Sequence, residues 1–336
     1  MTTSVIITAY NLEQYVAEAI RSVLGQTHRP DEVIVVDDCS TDATAAVIQS
    51  FGNAVRYLKL PQNSGGLTAT FYGVQHAGGD ILLFLDGDDT WMPEKIASVL
   101  PLFQQHPTMA VVSHDYIRVD SERRPLDIFD DTQANIARIL STCKTVEERS
   151  EAFKASILGK KGFWGGSAYS LRRSYVDVHL FEEWRTGFPY IRNTYLDLVL
   201  PTFVIVHHPE VMVGYVDKKL FEYRIHANQT SGNKIPTIEA AKKALRMGHC
   251  TTMGTYGMLK DHPRYRDFAN DQALHILEYE YLTDVYDNRK FPAFRKFVKL
   301  ARSHWNKRQL LKEAQRFSIS FFLGPKFFLK LKSRLT

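Results

Sequence analysis

The side chains best placed for chemistry in this sequence are three carboxylates within four positions, Asp86, Asp88 and Asp89 of Phe84-Leu85-Asp86-Gly87-Asp88-Asp89. They follow the apolar run Ile81 to Leu85 directly. Carboxylates this close repel one another unless positive charge lies between them. An apolar strand ending in such a cluster is therefore a natural seat for a hard divalent cation held through oxygen. A cation there could neutralise a phosphate leaving group. Two more polar clusters end apolar runs in the same way. Asp37-Asp38 follows Glu32 to Val36, and Ala9-Tyr10-Asn11 follows Ser4 to Thr8.

The elements that must carry these clusters alternate between strand and helix. Ser4–Thr8, Glu32–Val36, Val55–Leu60 and Ile81–Leu85 read as continuous apolar strands. Between them, Val16, Ile20, Val23 and Leu24 recur at helical spacing behind Asn11 as N-cap with Gln14 three residues on. The second helix runs from about Asp42 to Phe51 behind Ser40-Thr41-Asp42, and the third covers Thr68–His76, stopped by Gly78-Gly79. Apolar strands alternating with helices predict a mostly parallel α/β sheet covered on both faces. Ligands of such sheets bind beyond the carboxyl ends of the strands, where all three polar clusters fall. Neither Gly-x-Gly-x-x-Gly nor a Walker pattern follows the first strand, which argues against a dinucleotide fold and a P-loop. Beyond these elements the pattern predicts a helix over Pro93–Phe103 and a strand over Met109–Ser113. Residues 120–160 read as a helical insertion in which Thr145 and Glu148 form a capping box for a helix through Leu158. Gly162–Tyr169 suits a loop beside a ligand, Tyr195–Val206 a helix broken near Pro201, and Val211–Tyr215 and Leu220–Arg224 two short strands. From Pro236 onward the chain reads as helices.

Composition bounds the rest. The 336 residues are 44% hydrophobic and 24% charged, an ordinary globular balance. Cys39, Cys143 and Cys250 form no metal or disulfide spacing, so a reducing, cytoplasmic setting is expected. A signal peptide and a membrane span are not expected. The run Leu196 to Val206 comes nearest to a span but holds Asp197 and Pro201. Charge is divided unevenly: from Arg289 onward the chain carries 14 Lys and Arg against one acid, Glu313, while the first 288 residues carry a net −8. An acidic body with a basic, aromatic tail suggests that the tail meets an anionic surface.

Ser-Val-Ile-Ile-Thr-Ala-Tyr-Asn with Glu13 and Tyr15, then Val-Ile-Val-Val-Asp-Asp-Cys-Ser-Thr-Asp, resembles an inverting family 2 glycosyltransferase with a GT-A fold. So do Asn63-x-Gly65, Gly73, Ala77, Gly79 and the Asp-Gly-Asp-Asp segment. The resemblance covers residues 4–115 and resumes at Tyr223-Arg224-Ile225-His226-Ala227-Asn228-Gln229-Thr230-Ser231. It implies a nucleotide-sugar half over 1–115, an acceptor half with the helical insertion over 116–235, and a helical extension over 236–336. It also implies residue roles. Ala9 and Tyr10 would line a nucleotide base, usually uridine, and Asp37 would accept from the uracil imide. Asn63 would lie at the nucleotide-sugar site, Asp86 would meet the ribose, and Asp88, within an Asp-x-Asp motif, would hold Mn²⁺ or Mg²⁺ on the diphosphate. Arg224 and His226 would bring positive charge near it, with Ser231 a further donor. The family's Glu-Asp pair is replaced by Asn193-Thr194-Tyr195-Leu196-Asp197-Leu198, which leaves Asp197 as candidate catalytic base, with Glu182 and Glu183 as alternatives. The family's Ala-Arg-Asn is Ala69-Thr70-Phe71 here, so a cation that often approaches the nucleotide is lost.

Blander readings stand beside these. Asp37-Asp38 could simply end a strand and cap a helix, and Asp-Gly-Asp-Asp could be a solvated turn. His226 could be a satisfied structural histidine, Asp197 an ordinary helix acid, and Trp164 with Gly165-Gly166 a packed turn rather than an acceptor platform. Phe317, Phe321, Phe322, Phe327, Phe328 and Leu331, interspersed with Lys326, Lys330 and Lys332, suit an element lying on anionic lipid or a helix folded back on the body; Gly324-Pro325 interrupts it. Together these imply a metal-dependent inverting transferase that moves a sugar from a nucleotide sugar, UDP-linked by preference, to a surface glycan or lipid-linked acceptor at the inner face of the membrane. No nucleic-acid partner is expected. Two rivals are a catalytically silent nucleotide- or glycan-binding relative and a sugar nucleotidyltransferase, although the glycine-rich, Arg-containing loop of the latter is absent after the first strand.

Overall fold

The computed structural model describes all residues except 129–130, 161–164, 227–228, 230–236, 304–306 and 327–336. Trp164, Ser231 and the tail residues Phe327, Phe328, Lys330, Leu331 and Lys332 therefore lie outside the described residues. The chain forms two compact units, Met1–His226 and Ala227–Thr336.

The first unit is built on one mixed sheet. Its strands are β1 (Thr3–Ala9), β2 (Glu32–Asp37), β3 (Arg56–Lys59), β4 (Ile81–Asp86), β5 (Thr90–Trp91), β6 (Met109–Val119), β7 (Ser170–Arg172) and β8 (Met212–Arg224), in the order β3-β2-β1-β4-β7-β6-β8-β5. The four strands that the apolar runs predict, β1 to β4, all pair in parallel. β8 runs parallel to β6, whereas β7 pairs antiparallel to both β4 and β6, and β5 antiparallel to β8. The helices are α1 (Val16–Leu24), α2 (Thr44–Gln49), α3 (Gly66–His76), α4 (Lys95–Gln105), α5 (Asp131–Thr142), α6 (Val146–Leu158), α7 (Val178–Gly187) and α8 (Leu196–His207).

Both faces of β1, β2 and β4 are covered, which is why their interiors are runs of apolar residues rather than alternating, whereas β3, at the edge of the sheet, keeps Arg56 and Lys59 exposed. Val5, Ile7 and Ala9 of β1 share a core with Val16, Ala19, Ile20 and Val23 of α1 and with Ile96, Val99, Leu100 and Phe103 of α4. The opposite face takes α3, whose Gly73 approaches Ile6 and Val36 so closely that an added Cβ would lie 2.5 Å from Ile6 Cγ2. Aromatic rings then tie α3 to α7 and α8: Phe71 packs on Phe181 (4.5 Å) and Phe181 on Phe203 (5.0 Å).

Several local expectations change once tertiary contacts are present. Asn11 does not cap α1. Its backbone turns left-handed (φ 54°), its side chain accepts from the Thr41 N–H (2.8 Å), and the helix begins only at Val16. The two short strands expected over 211–224 are one strand, β8. The long partner β6 supplies a ladder past the exposed Asp217-Lys218-Lys219, with irregularities around His114 and Asp115 absorbing the mismatch. α8 runs unbroken through Pro201, losing only the hydrogen bond that a proline N–H cannot make. The capping box at Thr145 and Glu148 forms as expected (3.1 Å to the Glu148 N–H and 3.2 Å back).

The second unit is helical where it is described: α9 (Ile238–Leu259), α10 (Arg266–Tyr286), α11 (Lys290–Ser303) and α12 (Lys307–Leu323). Ala241, Leu245, Tyr281, Val285, Tyr286, Ala293 and Leu300 form its core, with Phe297 and Phe317 against it. The buried Asp284 fastens α10 to the start of α11 through Lys296 (2.8 Å) and Arg289 (2.7 Å).

The Gly73 contact makes a direct prediction for the fold. Gly73→Ala should destabilise the protein by about 1–3 kcal/mol through overpacking against Ile6 and Val36, seen as a lower urea midpoint. An unchanged midpoint would show that α3 can shift away from the sheet at no cost.

Candidate active site

Strand register sets the polar clusters in line. In the parallel pairs Ala9 lies opposite Asp37 and Thr8 opposite Asp86, so the ends of β2, β1 and β4 form one rim. Thr8 donates its hydroxyl weakly to Asp86 Oδ1 (3.4 Å). Tyr10 stands at the rim with its ring half exposed, and Asn63 is partly buried in the β3–α3 turn.

The antiparallel register of β7 brings in residues from far along the chain. Leu83 pairs with Ser170, and continuing that register places Ser167 against Asp86, where the Asp86 N–H donates to Ser167 Oγ (3.0 Å). Ser167 is fully buried and works in four directions. Its hydroxyl also donates to Asp89 Oδ2 (2.6 Å), while its carbonyl accepts from Trp91 Nε1 (3.3 Å) and from Lys95 Nζ. Lys95 is itself fully buried, 3.7 Å over the Trp91 ring. Burial holds its ammonium well below the usual lysine range, with Asp89 opposing that shift.

The acidic turn is thereby sorted into different jobs. Asp89 is buried, and its second oxygen accepts from the Arg224 N–H (2.9 Å); it fastens the turn to β7 and β8 rather than facing outward. Arg224 is buried beneath the same turn. Its guanidinium donates to the carbonyls of Asp88 (2.9 Å) and Ser121 (2.9 Å) and to Glu18 (2.6 Å), and it lies 4.9 Å over the Tyr15 ring. Asp88 keeps its carboxylate at the surface of the turn, 3.0 Å from His226 Nε2, and the His226 ring packs on Tyr15 (4.6 Å). Burial, then Asp88 and Asp197, push the Asp86 carboxyl up to about 8.

Asp197 reaches this group from α8. An added Cβ on Gly166 would lie 3.0 Å from Asp197 Oδ1 and 3.4 Å from Asp86 Oδ2, so the two carboxylates converge on the space that the missing side chain leaves. The Gly165 N–H donates to Asp197 Oδ2 (3.2 Å). Burial raises the Asp197 carboxyl to about 6, against the lowering effect of the neighbouring backbone N–H groups. Glu182 is engaged within its own helix, paired with Arg185 on α7.

Asp37 and Asp38 differ from the rest of the rim. Asp37 is fully buried, with one oxygen accepting from the Ser40 N–H (2.7 Å) and the other from the Tyr57 hydroxyl (3.0 Å). Asp38 accepts from the N–H groups of Ser64 (2.7 Å) and Gly65 (2.8 Å). Gly65 has φ 90°, and a Cβ there would lie 2.5 Å from the Arg192 carbonyl. The β3–α3 turn thus sits tightly against the turn that leads into α8.

Sequence reasoning singled out Asp86, Asp88, Asp197 and His226, and the structure gathers them at one end of the sheet. It missed Ser167 and Lys95. The only signal for Ser167 was its place in the glycine-rich loop expected to lie beside a ligand. No signal marked Lys95, because a lysine at the start of a helix reads as solvated.

Among the described residues no set of three His, Cys, Asp or Glu side chains is drawn together as a finished metal cage. The donors still suit a hard divalent ion. Asp88 and His226 offer oxygen and nitrogen side by side, with the Asp86 carboxylate two residues before Asp88 on the same turn. Mg²⁺-type sites use one or two carboxylates and take their remaining oxygens from substrate phosphates.

The family model described as Glycosyl transferase family 2 matches residues 4–170. The putative teichuronic acid biosynthesis glycosyltransferase TuaG of Bacillus subtilis is 34% identical over 129 residues, 38% of this chain and 51% of that protein. An uncharacterized glycosyltransferase of Nostoc sp. is 36% identical over 132 residues, 38% of this chain and 40% of that protein. The aligned regions thus cover about half or less of these relatives' own lengths. Among solved structures, S. aureus TarS superposes with a TM-score of 0.58 at 15% identity, over 97% of this chain and 55% of that one. TarS 1-349 in complex with UDP-GlcNAc gives 0.55 at 16%, over 96% and 92%. The mannosyltransferase PcManGT from Pyrobaculum calidifontis in complex with GDP-Man and Mn²⁺ gives 0.53 at 14%, over 99% and 86%. At these identities the likeness is one of fold, a GT-A-like sheet flanked by helices. Residue pattern, strand order and the family match over 4–170 agree, and the chain belongs to glycosyl transferase family 2.

Proposed function

We propose that the protein is an inverting, metal-dependent glycosyltransferase that moves a sugar from a UDP-sugar to a hydroxyl of a surface-glycan or lipid-linked acceptor. The observation that carries this reading is the convergence of Asp86 and Asp197 on the open space at Gly166, with the Asp88–His226 pair on the same acidic turn as Asp86. Such a transfer needs carboxylates of two kinds, some to hold a cation that neutralises the leaving diphosphate and one to take the proton of the attacking acceptor hydroxyl. This rim has both. The neighbours TarS and PcManGT, with UDP-GlcNAc and GDP-Man in their complexes, support a nucleotide sugar as donor.

In this reading Ala9, Tyr10 and Asp37 form the wall for the nucleotide base, Tyr10 through its exposed ring, with Asn63 at the edge of the same pocket. Asp86 would face the ribose and Asp88 and His226 would hold a divalent ion, while Arg224 braces the turn from below. When bound, that ion offsets the negative charge that develops on the diphosphate. Asp197 is the general base. Its ionised carboxylate takes the proton of the acceptor hydroxyl as that oxygen bonds to the anomeric carbon. The bond from that carbon to the diphosphate oxygen breaks on the opposite face, so configuration inverts and the nucleoside diphosphate leaves. A carboxyl raised to about 6 suits a general base, being ionised at neutral pH yet more basic than a solvated aspartate. The acceptor lies at an anionic inner membrane face, which the basic aromatic end of the chain approaches. Among the described residues no helix is long and apolar enough to cross a membrane.

Two experiments test this. Only the ionised base acts, and burial has moved its titration upward, so activity should be present above pH 6 and fall as pH drops through about 6. Asp197→Asn should lower kcat by about 10²–10⁴-fold and leave the donor-induced thermal shift intact. Full transfer by Asp197→Asn would remove Asp197 as base, and loss of both donor binding and transfer would make it a binding residue instead. Thermal-shift titration with UDP-sugars should also show a component that needs Mn²⁺, since a ligand that binds the folded state raises its apparent stability. Asp88→Ala should erase that component. A metal-dependent shift that survives Asp88→Ala would place the ion elsewhere.

A further inference from the structure

The C-terminal helical unit carries rings that a surface facing only water would not. Phe291 and Phe322 are each 79% exposed and Phe294 is 50% exposed. Phe291 and Phe294 stand three residues apart on α11 and so share a side of the helix. Phe294 packs on Phe317 (6.0 Å), Phe317 on Phe321 (5.8 Å) and Phe321 on Phe322 (5.4 Å). The exposed rings are therefore parts of one aromatic band that crosses from α11 to the end of α12.

The exposed charges that α11 itself contributes beside this band are positive, and the nearby Asp284 is buried and paired with Arg289 and Lys296. The Lys290 ammonium lies 5.0 Å over the Phe321 ring, and Arg295 and Lys299 are exposed on the same helix. α11 contains no acid at all, and Glu313, the one acid after Arg289, is already bonded to Arg316 (2.5 Å). Aromatic rings held at a surface among unopposed lysines and arginines match two layers of one target, an apolar interior beneath a sheet of phosphates. Lysine stems can lie along the rings while their ammonium groups stay at headgroup level. A second copy of the chain would bring the same excess of positive charge to the contact.

We infer that the Phe291–Phe294–Phe322 band, bordered by Lys290 and Arg295, is the contact surface for an anionic phospholipid bilayer. The inference rests on the reading that the acceptor lies at such a surface, and assigns the contact to folded residues of α11 and α12 rather than to the end of the chain. Binding adds apolar burial of the rings to attraction of the cations, so it is salt-sensitive and needs both.

Vesicle flotation of the full chain at low salt tests it, with phosphatidylcholine vesicles that contain or lack phosphatidylglycerol. The wild-type protein should float with the anionic vesicles only. Phe291→Asp with Phe322→Asp, and separately Lys290→Glu with Arg295→Glu, should each lower the vesicle-bound fraction by about tenfold or more. All four side chains are exposed, so helical circular dichroism and the donor-induced thermal shift should be retained. If the wild type floats and both double variants float equally well, this band is not the contact, and membrane association belongs to other residues. If the wild type does not float with anionic vesicles, the membrane reading fails with it, while the transferase reading stands on its own tests. If the Phe variants instead change the sedimentation coefficient, the band joins copies of the chain and the inference is overturned.

Discussion

The site depends on carboxylates being forced together where they repel. Burial first, then Asp88 on its own turn and Asp197 from a helix more than a hundred residues later, push the Asp86 carboxyl up to about 8. Left alone, such a group would relax by moving apart or taking a proton. It does not move apart, because the backbone on all sides is fastened. Asp86 takes its position from the parallel register with β1, its N–H is held by Ser167, and the turn after it is bound by Arg224 and by the hydrogen bonds of Asp89. The fold thus holds these carboxylates together at the rim instead of letting them separate.

Buried polar groups do this fastening, and they are expensive unless paired. Ser167 is bonded through both its hydroxyl and its carbonyl, and the buried Lys95 is met by that carbonyl and by the face of Trp91. Arg224 spends its donors on two carbonyls and Glu18. The Arg224 guanidinium thereby braces the loop that presents Asp88.

How much was legible can be judged residue by residue. The strand–helix alternation of the first hundred residues was plain, since strands buried on both faces must be apolar throughout. Their polar ends marked the rim for the same reason. Asp197 was named by elimination, and nothing in its neighbours in sequence could say that it faces Asp86. Asn11 looked like a helix cap because local spacing cannot reveal that Thr41 competes for its side chain. The break expected at Pro201 did not occur, since burial of α8 outweighs one missing hydrogen bond.

By itself the sequence determined the parallel half of the sheet, the acidic clusters at its rim, the capping box of α6 and the basic, aromatic character of the last helices. These follow from local periodicity and composition, which a single strand or helix expresses without help. Only the tertiary structure decided that a three-residue antiparallel strand would wedge between β4 and β6 and carry Ser167 to Asp86. It alone brought Asp197 and Asp86 together beside Gly166, turned Asp89 and Arg224 inward, and left Phe291 and Phe322 outside. Each of these depends on pairing between residues far apart in the chain, where register and packing, not local preference, choose which side chain meets which.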